Sequence, residues 1–368
     1  MQLWNDLRTE LKRRESQDLR RFLRAIPASA LDLASNDYLG LAQHPEVIEA
    51  AQNAAARFGA GARASRLVSG QFLLVEELEI ALARFKNTEA ALVFSSGYAA
   101  SLGVIAALCD EKIALFCHKR NHACLLDGCR AAQNGGATLR FFESNQKLRD
   151  LLQKSVSHRK IIVIDGVFSM DGDVCDLPAI LELAQEFDAL ILLDDAHGTG
   201  TMGKSGRGTS EHFGISDERI VTIGTLSKAL GSQGGFVAGP RVLIDFLINS
   251  ARTFIYSTGL NPPAVGAALQ SLQIIEREPE RVEKCRSNAR FLAENLGFEI
   301  QLQPSPILVV PMQSSGFALD FSRKLMKYGL WCPAIRPPTV ATARLRIGVN
   351  ANWNDEDLSR IVAGFEAI

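Results

Sequence analysis

Two charged residues stand where short apolar runs end. Lys228 follows the predicted strand 219–224 and lies among small residues, including several glycines. A lysine in such a setting is expected to lose its proton easily and to form a Schiff base with an aldehyde. Asp194 ends the run 189–193, where a buried carboxylate is costly unless a cation meets it. A protonated pyridine nitrogen about 4 Å away would supply an attraction on the order of 4 kcal/mol.

A third feature suits the binding of phosphate. The residues Ser96, Gly97 and Tyr98 form a turn between a predicted strand at 90–94 and the start of a predicted helix. Backbone amides at the start of a helix bind anions such as phosphate. The order of the lysine, the acid and the turn along the chain therefore favours a phosphorylated pyridine aldehyde as a cofactor.

The elements that must hold these residues are predicted from the stretch 90–240, where short apolar runs alternate with helical periodicity. The clearest unit is a buried strand at 161–164, a helix at 177–187 and a second strand at 189–193. Such alternation predicts crossover units in a parallel sheet. Ligands bind to these sheets beyond the carboxyl ends of the strands, which is where both charged residues stand.

The length and the change in pattern after about residue 260 predict an α/β fold with three parts. We expect an N-terminal arm over 1–36, a large domain with a mostly parallel central sheet over 37–258, and a smaller α+β domain over 259–368. The arm is apolar at helical spacing as far as Pro27, and its polar face is basic. In the small domain the pattern predicts one long charged helix over 264–296.

The composition argues against several other classes of protein. With 40 basic and 41 acidic residues among 368, the chain has no basic excess for nonspecific nucleic-acid binding. The uncharged run 90–109 is long enough to cross a bilayer, but the turn at 95–98 divides it, so we expect no membrane span. The N-terminus lacks the pattern of a secretion signal, and seven cysteines without a CxxC pair indicate reduced thiols. We therefore expect a cytoplasmic location.

One motif keeps a different class of function open. The stretch 198–205 has the spacing of a phosphate loop, which would make the protein a nucleotide-binding ATPase; its matching residues are Gly198, Gly203, Lys204 and Ser205. This is the weaker hypothesis, because glycines follow where the motif needs a helix. A metal site is not predicted, since His118 and His122 lack a third ligand at recognisable spacing.

Three segments together resemble a known enzyme family. The segments 166–173, 194–200 and 225–228 look like the motifs of the α-oxoamine synthases, pyridoxal-phosphate enzymes of the type I aminotransferase fold. The similarity extends over nearly the whole chain, from 35–41 to 344–346. The resemblance implies pyridoxal 5'-phosphate as the cofactor and a homodimer with its active sites at the subunit interface.

Within this family, the segment 334–340 is most like the member that joins L-alanine to a pimeloyl thioester in biotin biosynthesis. The resemblance leaves open whether coenzyme A or an acyl carrier protein carries the thioester. A sister enzyme that uses glycine with an acetyl or succinyl thioester is the alternative within the family.

Carried over by position, the resemblance implies roles for the residues of the site. Lys228 would bind the cofactor through its amine and later act as the base, and Asp194 would pair with the ring nitrogen. His122 would stack on the ring, while His197 would lie near the phenolic oxygen and polarise the thioester carbonyl. The other implied cofactor contacts are Ser96, Gly97, Tyr98, Ser169 and Thr225, with Ser257 and Thr258 from the neighbouring subunit.

The implied substrate contacts lie at both ends of the chain. Arg346, with Asn36 nearby, would take the amino-acid carboxylate in a bidentate fork, and Arg20 would touch the far carboxylate of the acyl group. The departures from the family pattern are Val75 for a histidine, His118 for an aspartate, Cys124 for a serine, a nearly absent hairpin between Pro27 and Leu31, and two residues missing after Val340. They affect the fit of the acyl chain and the setting of Arg346.

Overall fold

The computed structural model describes residues 1–368. Its helices are α1 (Gln2–Ser16), α2 (Pro45–Phe58), α3 (Leu73–Lys86), α4 (Gly97–Leu108), α5 (Ala123–Asn134), α6 (Asn145–Gln153), α7 (Leu177–Glu186), α8 (Thr209–His212), α9 (Arg241–Ser250), α10 (Arg252–Ile255), α11 (Pro262–Arg277), α12 (Glu280–Asn295), α13 (Ser315–Lys327) and α14 (Asp355–Glu366). Its strands are β1 (Leu31–Asp32), β2 (Ala90–Phe94), β3 (Ile113–His118), β4 (Thr138–Phe142), β5 (Arg159–Asp165), β6 (Ala189–Asp194), β7 (Ile220–Thr225), β8 (Gly235–Gly239), β9 (Ile307–Pro311), β10 (Leu330–Trp331), β11 (Ala334–Ile335) and β12 (Arg344–Gly348).

The central sheet has seven strands in the order β2-β8-β7-β6-β5-β3-β4. The strands from β7 to β4 in this order pair in parallel, whereas β8 is antiparallel to both of its neighbours. Every residue of β2, β3, β7 and β8 is buried, as expected for strands with helices on both faces. The predicted α/β fold with a mostly parallel sheet is confirmed.

Alternate side chains of the sheet pack into two cores, one on each face. In β6, Leu192 belongs to the core that α4 and α5 cover, while Ile191 and Leu193 belong to the core that α7 covers. Because side chains of a strand alternate between faces, this uncharged run is buried on both sides. The packing fixes the position of Asp194 at the end of the strand.

The register of the strands brings three strand ends together at one edge. Asp165, the last residue of β5, pairs with Asp194, the last residue of β6. Asp194 also pairs with Ile223, and β7 ends two residues later at Thr225. Lys228 follows that strand, so it stands at the same edge as the two carboxylates.

The C-terminal residues form a separate antiparallel sheet of three strands in the order β11-β12-β9. Contacts with this sheet come from α12 and α13, and α14 packs on α12. The N-terminal segment joins this unit, because β1 pairs in parallel with β10. The strand β12 carries Arg346 towards the large sheet. The domain boundaries given above stay a prediction.

Two helices differ from the expectation. The single helix expected over 264–296 is wrong, because Pro279 lies between α11 and α12. The arm is helical only as far as Ser16, although its apolar spacing continues towards Pro27. Asp18 adopts a φ of 56°, and the amides after Ser16 bond back to the last helical turn, which ends the helix.

Two further observations bear on the cysteines and on the uncharged run. All seven cysteines are free thiols, and all but Cys109 are buried. The run 90–109 forms β2 and most of α4. No helix of the structure combines the length and the apolar composition that a bilayer crossing requires.

Candidate active site

Lys228 is held in a partly buried position three residues after the end of β7. Its Nζ lies 2.8 Å from Nε2 of His197. Burial lowers the pKa of the Lys228 amine from 10.5 to about 8, although the nearby carboxylates of Asp194 and Asp165 act in the opposite direction. An amine that titrates near neutral pH can serve as a nucleophile and as a base.

Asp194 is a buried carboxylate that lacks a close partner of opposite charge. Its Oδ1 accepts a hydrogen bond from the Ala196 amide at 3.0 Å. Its Oδ2 meets only the Ser101 hydroxyl at 3.5 Å and the Cys124 thiol at 3.8 Å. Burial raises the pKa of Asp194, and the charge of Lys228 opposes that shift. A ligand with a protonated nitrogen would satisfy this carboxylate.

Asp165 lies beside Asp194 and was not predicted as a site residue. One of its oxygens accepts a hydrogen bond from the His122 amide at 2.8 Å. Burial, followed by the charge of Asp194, raises the pKa of Asp165 well above its usual value. The sequence contained a signal for this residue, because Asp165 ends a buried strand just as Asp194 does.

His122 stands at the first turn of α5 as its N-cap. Its Nδ1 lies 3.3 Å from the Cys124 amide and 2.9 Å from the Cys124 sulfur. Burial lowers the pKa of His122, so its ring is neutral near pH 7 and its Nδ1 accepts the hydrogen bond from the amide. The departure at Cys124 thus places a thiol between this imidazole and Asp194.

The turn at the start of α4 lies against the end of β7. Ser96 is the N-cap of the helix, and its Oγ accepts from the Ala99 amide at 3.0 Å. A Cβ added to Gly97 would lie 3.2 Å from Cβ of Thr225, so the two elements are in close contact. The Tyr98 hydroxyl donates to Asp127. The start of α4 and the end of β7, which together form the predicted phosphate site, therefore lie side by side. We call this turn the phosphate cradle.

A second group of side chains extends the site towards β12. Arg346 is buried, and its Nε donates to the backbone oxygen of Ser169 at 2.6 Å. Another nitrogen of the same guanidinium donates to Oδ1 of Asn36 and to the hydroxyl of Tyr38, both at 3.1 Å. The Tyr38 hydroxyl also lies 2.7 Å from Nδ1 of His197. This chain of polar groups connects the arginine to Lys228.

A family model described as aminotransferase class I and II matches residues 28–365 of the chain. The protein belongs to this family. An 8-amino-7-oxononanoate synthase from Lysinibacillus sphaericus is 42% identical over 340 residues, which cover 91% of this chain and 87% of that protein. Among solved structures, serine palmitoyltransferase from S. paucimobilis with bound PLP-myriocin aldimine has a TM-score of 0.91 at 28% identity and covers 100% of this chain and 97% of its own. An 8-amino-7-oxononanoate synthase from Francisella tularensis has a TM-score of 0.77 at 26% identity, with 93% of this chain and 98% of its own covered.

The resemblance to the α-oxoamine synthases is thereby confirmed, and the protein is a pyridoxal-phosphate-dependent acyltransferase of the type I aminotransferase fold. The residues of the site fit this cofactor. Asp194 is a buried acid without a close cation, Lys228 is an amine with a lowered pKa, and the start of α4 offers free amides. These groups match the ring nitrogen, the aldehyde and the phosphate of the cofactor.

In the stretch with phosphate-loop spacing, backbone amides donate to a carboxylate of the protein itself. The amides of Ser205 and Arg207 both donate to the carboxylate of Glu211, at 3.0 and 2.9 Å. The next helix, α8, begins only at Thr209 and has four residues. A nucleotide phosphate would therefore have to displace an internal carboxylate, which counts against the ATPase hypothesis.

Three predicted residues lie away from the core of the site. The Oγ of Ser257 is 3.4 Å from that of Ser95, and Thr258 forms a bridge with Ser65. Arg20 pairs with Glu15 at 2.7 Å and lines a groove of about 820 Å³ between the arm and α13. The roles of these residues towards a partner subunit and an acyl chain stay predictions.

No pattern in the sequence singles out Tyr38, although it lies in the segment 35–41 that resembles the family. It is 159 positions from His197, and no periodicity links the two. Its contacts depend on the way in which the segment 36–40 crosses between the large sheet and β12.

Proposed function

We propose that the protein is an 8-amino-7-oxononanoate synthase that condenses L-alanine with a pimeloyl thioester and releases carbon dioxide. The observation that carries the proposal is the chain of hydrogen bonds from Lys228 through His197 to Tyr38. Arg346 donates to the same Tyr38 hydroxyl. A base and a carboxylate-binding group thus lie at the two ends of one polar chain. The identity of 42% to the Lysinibacillus enzyme supports this member of the family.

Pyridoxal phosphate, when bound, would take up the negative charge that is left when the α-proton of the amino acid is removed. Lys228 suits the removal of that proton, because burial lowers its pKa to about 8 and leaves part of the amine neutral near physiological pH. Asp194 would keep the ring nitrogen protonated, since the two charges would satisfy each other in a buried place.

His197 would polarise the carbonyl of the thioester. Burial, followed by the charge of Lys228, holds the pKa of His197 well below its usual range, so its ring is neutral and one nitrogen donates. Arg346 would bind the carboxylate of the amino acid with two parallel hydrogen bonds, which would replace its present contact with Asn36.

We further propose a homodimer in which Ser257 and Thr258 approach the phosphate of the partner's site, and an acyl chain whose far carboxylate meets Arg20. The first assignment rests on the resemblance to the family, and within its own chain Ser257 lies beside Ser95. The five arginines among the residues that line the groove of Arg20 support the second. Coenzyme A and an acyl carrier protein both stay possible carriers, and the cytoplasmic location stays a prediction.

Other pairs of substrates within the family are the second candidate. The serine palmitoyltransferase has a higher TM-score than the Francisella synthase, so the backbone alone does not select alanine. A sister enzyme would use glycine with an acetyl or succinyl thioester.

The test is thiol release by the purified enzyme with alanine, glycine or serine in combination with acetyl, succinyl, pimeloyl and palmitoyl thioesters. We expect the fastest release with alanine and the pimeloyl thioester. Fastest release with glycine or serine would replace the proposed member by a sister enzyme. Magnesium-dependent ATP binding by a colourless protein would favour the ATPase hypothesis instead.

A further inference from the structure

The hydroxyl of Tyr38 lies at the centre of the buried polar chain. It is 2.7 Å from Nδ1 of His197 and 2.9 Å from Oδ1 of Asn36. A guanidinium nitrogen of Arg346 is 3.1 Å away. Tyr38 is 1% exposed, so these three groups are its polar surroundings.

A hydroxyl group has one proton and donates one hydrogen bond at a time. The guanidinium of Arg346 has donors and no acceptor atom, so it can only donate to the oxygen of Tyr38. The Tyr38 proton therefore goes either to Asn36 or to His197. These two choices reverse the donor and acceptor roles along the hydrogen bonds that connect Lys228, His197, Tyr38 and Asn36.

The charge of Lys228 selects between these directions. An ammonium at Lys228 donates to Nε2 of His197, 2.8 Å away, which leaves the imidazole proton on Nδ1. Nδ1 then donates to Tyr38, and the Tyr38 proton goes to Asn36. A neutral amine at Lys228 has a lone pair that accepts from Nε2, which the ammonium lacks. In that arrangement Nδ1 accepts from Tyr38, and Asn36 loses that donor.

We propose that Tyr38 is a positioning residue that couples the proton on Lys228 to the hydrogen bonds of Asn36 and Arg346. The Asn36 oxygen accepts from both Tyr38 and Arg346, so a carboxylate that draws Arg346 away leaves Tyr38 as its donor within this chain and strengthens that bond. That direction favours the ammonium form of Lys228, so a bound carboxylate makes Lys228 a stronger base. The inference rests on the proposed function only for the nature of the ligand at Arg346.

Several other ionisable groups face this chain. They are Arg346 and Cys285 around Tyr38, Arg346 and His122 around His197, and Asp194, Asp165, Arg346 and Cys124 around Lys228. Among all of these groups, only Lys228 and Tyr38 form hydrogen bonds with the imidazole nitrogens of His197. The coupling therefore has one route, which substitutions at its two ends can cut.

The test is a double-mutant cycle in the cofactor-free protein with Tyr38→Phe, Asn36→Leu and the double variant. The measured quantity is the pH at which Lys228 loses its proton, taken from the rate of its labelling by an amine-directed reagent and peptide mass spectrometry. Asn36→Leu removes the acceptor that the Tyr38 proton has only when Lys228 is an ammonium, so it should lower that pH by about one unit. Tyr38→Phe removes the partner of Nδ1 in both directions and cuts the link between His197 and Asn36. In the Tyr38→Phe background, Asn36→Leu should therefore cause no further change. Tyr328→Phe, which changes a half-exposed tyrosine on the small domain, is the control and should leave the value unchanged.

A second measurement uses the cofactor-free protein without any substitution, so it does not depend on whether a variant folds. Nitrogen-15 signals of His197 should show its proton moving from Nδ1 to Nε2 as the pH rises through the pKa of Lys228, which burial lowers to about 8. One tautomer across that range, additive shifts in the cycle, or no shift in Asn36→Leu would overturn the inference. If the cycle behaves as expected but alanine is not turned over, the proposed function fails and the coupling stands.

Discussion

Asp194 and Asp195 are neighbours in the sequence and are both buried, yet their surroundings differ. The carboxylate of Asp195 accepts from Lys86 at 2.8 Å and from the amide and hydroxyl of Thr209 at 3.0 and 2.6 Å. The carboxylate of Asp194 accepts from one backbone amide at 3.0 Å and otherwise meets only a hydroxyl at 3.5 Å and a thiol at 3.8 Å. One acid has its partners within the chain, whereas the other is left for a ligand.

The lysines that accompany the two acids differ in the same way. The Nζ of Lys86 has three oxygen acceptors within 2.8 Å, which come from Asp195, Thr199 and Arg207. The Nζ of Lys228 contacts a single imidazole nitrogen. A buried charged group with all of its hydrogen-bond partners is typical of a structural ion pair. A buried charged group without them is a candidate for catalysis or ligand binding. The comparison teaches that burial alone does not mark an active-site residue; the missing partner does.

The largest expected effect comes from replacing Lys228, which has no carboxylate in direct contact. Lys228→Ala should lower turnover by about 10⁴-fold or more, because it removes both the covalent attachment and the base. Borohydride should attach no cofactor covalently to this variant, because no imine with Lys228 is present to be reduced, as measured by mass spectrometry of the intact protein. Lys204→Ala, in the stretch with phosphate-loop spacing, is the matched control and should keep full activity. Full activity of Lys228→Ala would remove the central assignment.

The acid of the same region should have the next largest effect. Asp194→Asn removes an attraction on the order of 4 kcal/mol at about 4 Å, so exchange of the α-proton of alanine should slow by about a thousandfold. Proton NMR in deuterated water measures this exchange without the thioester. An exchange rate equal to that of the unmodified enzyme would contradict the pairing of Asp194 with the ring nitrogen.

Substitutions at the ion pair of Lys86 and Asp195 should change the stability of the protein. Lys86→Met leaves Asp195 buried without its cation and should lower the free energy of unfolding by about 3 kcal/mol, near the lower end for a broken buried ion pair because the donors of Thr209 remain. Lys228→Met should cost much less, since Lys228 has no carboxylate in direct contact. Urea denaturation of the cofactor-free proteins compares the two variants. Equal losses would mean that the two regions do not differ in the way proposed.

These predictions rest partly on residues that the sequence identified and partly on residues that it did not. Asp194 and Lys228 could be predicted because each follows an uninterrupted apolar run, and a parallel sheet places such residues at one edge. The helix start at Ser96 was predictable for the same local reason. Strand periodicity and turn residues are local signals, so they survive without knowledge of the tertiary structure.

The residues that complete the site depend on contacts between distant parts of the chain. Lys86 is 109 positions from Asp195, and Tyr38 is 308 positions from Arg346. No spacing in the sequence distinguishes Lys86 from a solvated lysine at the end of a helix. The break of the predicted long helix at Pro279 was a local signal that the charged pattern on both sides obscured.

The smallest expected effect is a change in the free energy of unfolding with pH. The pKa of Lys228 falls from 10.5 in the unfolded chain to about 8 in the folded chain because of burial, so the unfolded chain binds more protons between these values. The folded state is therefore favoured as pH rises: this contribution is complete above 10.5 and is lost as pH falls through about 8. Between about pH 8 and 9.5 the cofactor-free protein should gain about 1.5 kcal/mol relative to Lys228→Met, measured by urea denaturation at each pH. A difference that stays constant over this range would show that Lys228 keeps an ordinary pKa and that its region is as well paired as that of Lys86.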